Sequence, residues 1–555
     1  MTIRPLHALT RGLFVLTLGL FSLTVGCAPA DGPASSSAQN GAAWDLPVPP
    51  PTVPGPWDLA IHGARVVDGS GAPARLGGVL VHQGDIVYVG PLDPDTLDVL
   101  AQVDAAGRVL APGFIDPHAH GDPLQTPGFP NFLAQGVTTV FMGMDGSSPR
   151  AQALAGVMAQ TDAMGPWVNV AWLAGHGTLR MESGMGYAAS TPEGREALAA
   201  LVAMAMDAGA FGLSTGLEYD AGLPADAEEL ARIGVEVARR DGIISSHMRN
   251  EDADQVEASL EELLTQGAQS GARVHASHLK VVLGSDPAQA ARILNRMNEA
   301  RAQGIRISAD VYPYTASFTG ISILFPDWAR PPADYAAVAV ERRDELLAHL
   351  EGRVNARNGP AATLFGSGPW SGKTLEEAAR ETGRPFPELL AELGPSGARA
   401  AYFVMSDEVM TAFLLDPHTV VASDGSPVMS HPRGYGSFAR VIRRHVVDEG
   451  ALSLEAAVAR MSGSTATLFG LANPDRLERP RGFIRPGFAA DLVLFDPAQV
   501  RDTADFENPF QLAEGMWKVW VNGVEAWSEG GEANPASETE GGPGRTLRAR
   551  SSLMR

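Results

Sequence analysis

The chain has 555 residues, enough at roughly 150 per domain for three or four domains, or for one large α/β barrel with additions. Hydrophobic residues make up 45% and charged residues 19%, with 61 Gly and 41 Pro spread along the chain, a composition that excludes wholesale disorder. The formal charge of -22 repels polyanions and argues against a nucleic-acid partner, while a small anionic substrate stays admissible if local cations oppose the global field.

Arg4 and Arg11 precede an apolar run over residues 12 to 25, too short to span a bilayer and proportioned like the core of an export signal. The one cysteine, Cys27, follows Val25-Gly26 and resembles the lipidated cysteine of a bacterial lipoprotein. Residues 1 to 27 are thus expected to be a signal peptide, with a lipid anchor on Cys27 and a cell-envelope or periplasmic location. The alternative is an ordinary secreted protein in which Cys27 is incidental. In both cases the folded part has no disulfide and no thiolate ligand. Residues 28 to 57, dominated by Ala, Pro, Ser and Gly, read as a tether.

Residues 59 to 89 carry alternating strand-like runs punctuated by glycine, and residues 489 to 527 do the same. Paired, they make a composite β-sandwich from segments 58 to 110 and 480 to 528. Between them, apolar β-branched runs alternate with helical patterns, as in a parallel α/β fold. The runs are LAPGFIDPHAH, VTTVFMGMD, WVNVAWLAGH, GAFGLSTGLEY, GIISSHMRNE, RVHASHLK, IRISADVYPY and HTVVASDG. Eight such units predict a (β/α)8 TIM barrel over residues 111 to 479. Helical patterns over residues 195 to 208, 228 to 240, 255 to 269 and 288 to 302 separate several of them. An insertion over about residues 325 to 402 is a candidate lid subdomain. Residues 529 to 555 are polar, Gly-rich and aperiodic, and are expected to be disordered.

Polar residues gather at the C-terminal ends of these runs, where a barrel of this kind places its active site. His118 and His120 end the first run, and their i, i+2 spacing puts both imidazoles on one face of a strand. Asp145 ends the second, His176 the third, His247 the fifth, His278 the sixth, Asp310 the seventh and Asp424 the eighth. Convergent imidazoles with one or two carboxylates make a ligand set for Zn2+ or a similar divalent ion, which lowers the pKa of bound water from 15.7 to about 7. Asp424, in Ala-Ser-Asp-Gly, is the candidate general base. Asp145 is a candidate metal ligand, with the first position of an Asp-Gly turn as the rival reading. Asp310 reads as a partner that orients a ligand or as a structural hydrogen-bonder. His176 is a catalytic candidate that either polarises the substrate carbonyl or orients a ligand.

The HxH after the first strand, single histidines on the fifth and sixth and an aspartate on the eighth resemble the amidohydrolase superfamily, and within it the N-acyl-D-amino-acid deacylases. The stretches that carry the resemblance include APGFIDPHAHGD, AGHGTLR, SHMRNE, DVYPYTAS, SDGSPVMSHPRGYGSF and GFIRPGFAADLVLFDP, in family order from about residue 57 to 528. The resemblance implies one metal site from His118, His120 and Asp424, and two ligands of a tighter site in His247 and His278. Where the well-known branch has a cysteine in a Gly-Asn-Cys-Gly context, this chain has Gly143-Met144-Asp145-Gly146. A carboxylate in that place can bridge two ions and admits Mn2+ or Co2+ more readily than a thiolate would. For the substrate carboxylate the resemblance points to Lys280, Tyr312 and Arg433, with Arg249 a further candidate or a brace for neighbouring loops. Phe318 stands where a small polar residue is expected. The implied reaction is metal-dependent hydrolysis of an N-acyl-D-amino acid to a carboxylate and the free amino acid. A dipeptidase or cyclic-amide hydrolase on the same scaffold is the runner-up, and a surface binding protein on an inactive barrel the outsider.

Overall fold

In the computed structural model, the β-branched runs in the middle of the chain form eight parallel strands. These are Phe114–Asp116, Val137–Met142, Asn169–Trp172 with its continuation Ala174–Gly175, Gly212–Gly216, Ile243–His247, Arg273–Ala276, Ile307–Val311 and Thr419–Val421. The structure describes residues 51, 53 to 530 and 541 to 550. Each strand pairs in parallel with the next. The third breaks for one residue, Leu173, whose N–H still donates to the Met142 carbonyl at 2.9 Å. The first and eighth strands meet just past their C-terminal ends, where the Asp424 N–H donates to the His118 carbonyl at 2.9 Å and the His120 N–H to the Gly425 carbonyl at 2.8 Å. Below that contact, Asp116 accepts from the Ser423 N–H at 3.1 Å.

Helices cover the outer face for local reasons that the fifth-strand unit illustrates. Asp226 caps Ala227–Arg239 by accepting from the Glu229 N–H, a contact worth about 1 kcal/mol. Leu230, Ile233 and Val237 then recur at helical spacing and are all buried against the barrel, each contributing roughly 1.5–3 kcal/mol. The same geometry turns Glu229 inward.

The two ends of the chain meet in one continuous sheet of eight strands. Trp57–Val66, Arg75–His82, Asp85–Gly90, Val99–Asp104 and Val109–Pro112 come from the front, and Leu492–Phe495, Met516–Val521 and Val524–Ser528 from the back. The seam is the antiparallel pair of Val109–Pro112 with Leu492–Phe495. Period 2 sorts its side chains: Leu110, Leu492 and Leu494 enter a core with Ile61 and Val79, whereas Val109, Val493 and Phe495 pack onto the barrel.

The insertion between the seventh and eighth strands carries its own core and a three-stranded antiparallel sheet of Ser317–Gly320, Arg399–Tyr402 and Thr363–Phe365. It therefore begins about eight residues earlier than its sequence suggests, because Ser317–Gly320 follows the seventh strand so closely that it reads as part of the same run.

The expectation of a disordered tail needs correction for residues 541 to 550. This segment lies along the N-terminal end of the third strand, where Val170 donates to the Arg545 carbonyl at 3.0 Å and accepts from Leu547 at 2.8 Å. Leu547 is buried. A Cβ on Gly544 would stand 2.2 Å from the Val168 carbonyl, so the Gly-Pro-Gly composition that resembles disorder here permits close backbone approach. The expected signal peptide, Cys27 and most of the expected tether lie outside the described residues.

Candidate active site

The cluster is assembled from the ends of the barrel strands. His118 is fixed from below, its N–H donating to Asp116 at 3.1 Å. Burial pushes the Asp116 carboxyl up to about 7, against the hydrogen bonds from Ser423 and His118. Asp145 follows the second strand after Gly143, where a Cβ would meet the Leu173 carbonyl at 2.1 Å. Asp145, His278 and Asp424 have φ of 53°, 36° and 48°. Three non-glycine residues held in the left-handed region at one site represent strain of order 1–3 kcal/mol each, sustained by the surrounding structure.

These side chains converge. Asp145 Oδ1 lies 3.3 Å from His118 Nε2 and 3.3 Å from His278 Nε2. His120 Nε2 is 3.0 Å from Asp424 Oδ1 and 3.5 Å from Asp145 Oδ2. His247 Nδ1 faces His278 Nε2 at 2.9 Å while its Nε2 is paired with Glu218 at 2.9 Å. Ligand atoms around a tetrahedral zinc with bonds of about 2.0–2.1 Å stand roughly 3.3 Å apart, so the spacing fits a divalent cation. Three donor sets each bring their ligand atoms within 4.8 Å of one another: His118, His120, Asp145 and Asp424; Asp145, His247 and His278; and Glu218, His247 and Glu251. Asp145 belongs to the first two and so stands where a bridging ligand would. His118 Nδ1 and Nε2 and Asp145 Oδ1 are buried without a hydrogen-bond partner, and orphaned acceptors of this kind suit a metal.

Outer partners orient the ligand candidates. Asp310 accepts from the His278 backbone N–H at 2.7 Å and pairs with His275 Nε2 at 2.8 Å, contacts that hold the backbone of one ligand candidate. Burial raises the Asp424 carboxyl, but Arg433 and His118 outweigh it and hold it well below the usual range. Asp145 is held down similarly, against burial, by His118 and His278. The carboxylates therefore stay ionised, as a dication requires.

Among the substrate-binding candidates, Lys280 and Arg433 line the cavity. Lys280 Nζ is 2.8 Å from Glu251 and 2.8 Å from His278 Nδ1. Arg433 Nη1 is 2.9 Å from Asp424 Oδ2. Tyr312 lies behind them, its ring 4.7 Å from the Arg433 guanidinium and its hydroxyl donating to Met405 Sδ at 3.6 Å. Phe318 forms cavity wall against Met429.

Two expected site residues are elsewhere. His176 is fully buried and pairs with Glu229 at 2.8 Å outside the cavity lining, because Glu229 and Arg180 form an ion pair behind it. Arg249 is spent on Glu262 at 2.9 Å and on the Leu223 and Ala225 carbonyls, so it braces loops. Conversely, Glu218 and Glu251 were not singled out. Glu218 ends the fourth run as the other candidates end theirs, and Glu251 follows His247 by four residues, so both signals were present.

A parallel barrel with a histidine–carboxylate cluster at its C-terminal mouth defines the class of metal-dependent barrel hydrolases. The family model described as Amidohydrolase family matches residues 101–526, and the chain belongs to that family. It is 34% identical over 498 residues to an N-acyl-D-aspartate deacylase of Alcaligenes xylosoxydans xylosoxydans, covering 85% of this chain and 92% of the relative. A D-aminoacylase of the same organism is 33% identical, with 85% of this chain and 95% of the relative covered. The crystal structure of an N-acyl-D-glutamate deacylase from Bordetella bronchiseptica, complexed with zinc and a phosphonate mimic of the tetrahedral intermediate, superposes with a TM-score of 0.76. It is 32% identical, with 89% of this chain and 100% of that chain covered.

Proposed function

We propose that this chain hydrolyses the amide bond of N-acyl-D-amino acids, releasing a carboxylate and the free D-amino acid. The observation that carries the reading is Asp424, placed between the histidine cluster and a cation: Oδ1 lies 3.0 Å from His120 and Oδ2 lies 2.9 Å from Arg433. The relatives named above, which act on N-acyl-D-aspartate and N-acyl-D-glutamate by their names, supply the substrate class. His118, His120, Asp145, His247, His278 and Asp424 would hold one or two zinc ions. Bound there, the cation would supply the Lewis acidity that activates water at neutral pH and polarises the amide carbonyl.

The chain's own groups do the rest. Asp424, kept ionised by Arg433, takes the proton from the attacking water and returns it to the departing nitrogen. Lys280 and Arg433 give the substrate carboxylate a cationic wall inside an acidic protein. Glu218, 2.9 Å from His247 Nε2, and Glu251, 3.1 Å from His278 Nδ1 and paired with Lys280, keep the two imidazoles oriented.

Replacement of the named groups tests this. His247→Ala should lose bound zinc and turnover, and Asp424→Ala should lower kcat by about 10²–10⁴-fold, both with unchanged circular dichroism. Wild-type-like turnover in either would contradict the assignment.

The same proposal extends to location: export through residues 1 to 27 and tethering through a lipidated Cys27, supported by the N-terminal sequence pattern. Incorporation of labelled fatty acid that is abolished by Cys27→Ser would test it.

A further inference from the structure

Two cavities meet at the candidate ligands. The first, of about 520 Å³, contains Lys280 and Arg433. A second, of about 590 Å³, opens on the other side of His120 and shares Met144, Ser147, Phe318, Arg399 and Met429 with the first. Away from that shared wall Leu124, Val157 and Trp172 form an apolar stretch beside the polar Ser148, Ser367 and Ser426, and Val428 stands exposed at its edge. Besides His120, its charged lining residues are Asp122 and Arg399.

Amide hydrolysis beside His120 and Asp424 divides a substrate into two halves, and each half needs space on its own side of the cleaved bond. Lys280 and Arg433 line the first cavity and not the second, and they suit the amino-acid carboxylate. The second offers an apolar stretch at Leu124, Val157 and Trp172 within a mixed wall, with room for about twenty waters at roughly 30 Å³ each. A two-carbon acyl group would leave most of that surface wet.

We propose that the second cavity is an acyl-chain subsite, and that the preferred substrates carry apolar acyl groups of roughly six to ten carbons instead of acetyl. This rests on the proposed function and specifies its acyl half. Each methylene moved from water to apolar surroundings is worth about fourfold in binding. Partial exposure near Val428 reduces that gain without removing it.

The test is kcat/KM of the zinc-loaded enzyme across N-acetyl, N-hexanoyl and N-octanoyl derivatives of one D-amino acid, with octanoate and acetate compared as ligands by calorimetry. The expected rise from acetyl to octanoyl is at least about tenfold in both readouts. Val157→Trp, which fills the cavity, should bring the octanoyl-to-acetyl ratio near one, and Leu124→Trp should do so from the other wall should the first variant fold poorly. A flat chain-length series with good N-acetyl turnover overturns the subsite and leaves the proposed function standing. Tighter octanoate binding that the tryptophan variants abolish, without turnover of any N-acyl-D-amino acid, upholds the subsite and overturns the proposed function. Equal binding of octanoate and acetate overturns the subsite whatever the turnover.

Discussion

Arg433 and Asp424 form a buried ion pair at 2.9 Å in which the guanidinium occupies Oδ2 and leaves Oδ1 turned to His120. The pair sets both the charge and the direction of the proposed base. Burial alone would raise the Asp424 carboxyl, and Arg433 is the largest influence opposing it. A base active only when ionised loses function as pH falls through its pKa, so weakening Arg433 moves that loss to higher pH. Arg433→Lys, which replaces a planar fork by a point charge, should lower kcat by about tenfold to a hundredfold. The acid limb of its kcat profile should lie at higher pH than in the wild type. An unmoved limb would separate Arg433 from the base.

Asp145 stands in both histidine sets, with Oδ1 at 3.3 Å from His118 and from His278. A carboxylate at this point accepts harder ions than a thiolate does. Apo-protein reloaded with Mn2+ or Co2+ should therefore regain activity alongside the zinc form. Asp145→Cys should narrow the response, lowering Mn2+ affinity relative to zinc by about tenfold or more. Metal analysis after dialysis reads this directly, and equal selectivity in both proteins would remove Asp145 from the metal site.

Behind the third strand, His176, Arg180 and Glu229 form a fully buried network. Burial works to raise the Glu229 carboxyl, but His176 and Arg180 together bring it down to about 2. Burial lowers the His176 pKa despite the opposing effect of Glu229. Both groups have folded values below their unfolded ones, so each contributes stability above its unfolded pKa that is lost as pH falls. For Glu229 the loss runs from about 4.5 down to about 2 and amounts to roughly 3 kcal/mol. Glu229→Gln should therefore be several degrees less stable than wild type at pH 7, with the gap in Tm narrowing between pH 5 and 3. A constant gap would mean that the network is held by packing alone.

The tail segment at the N-terminal end of the strands makes a separate prediction. Leu547→Ala should cost about 2 kcal/mol or more and lower Tm, while kcat/KM stays at the wild-type value because the candidate site is at the opposite end of the barrel. An unchanged Tm would show that residues 541 to 550 contribute no packing energy.

Much of the barrel was readable because a strand buried on both faces must be a continuous apolar run, and the eight runs correspond to eight parallel strands. The position of a polar residue at the end of such a run is equally readable, which is how His118, His120, Asp145, His247, His278 and Asp424 were found. Side-chain direction is not. His176 also ends a run, yet it faces Glu229, because the strand breaks at Leu173 and a helix starts at His176 itself. Glu218 and Glu251 are less legible, because acidic residues near chain turns are common and only the fold brings them onto His247 and His278. The tail is illegible in sequence because Gly-Pro-Gly signals a flexible segment and a tightly apposed one alike.

The most direct measurement is release of free amine by zinc-loaded protein from matched N-acyl-D and N-acyl-L amino acids, with chelator-treated protein alongside. Hydrolysis confined to the D series and abolished by chelation is the predicted result. Equal hydrolysis of both series, or turnover that survives complete removal of metal, would contradict the account.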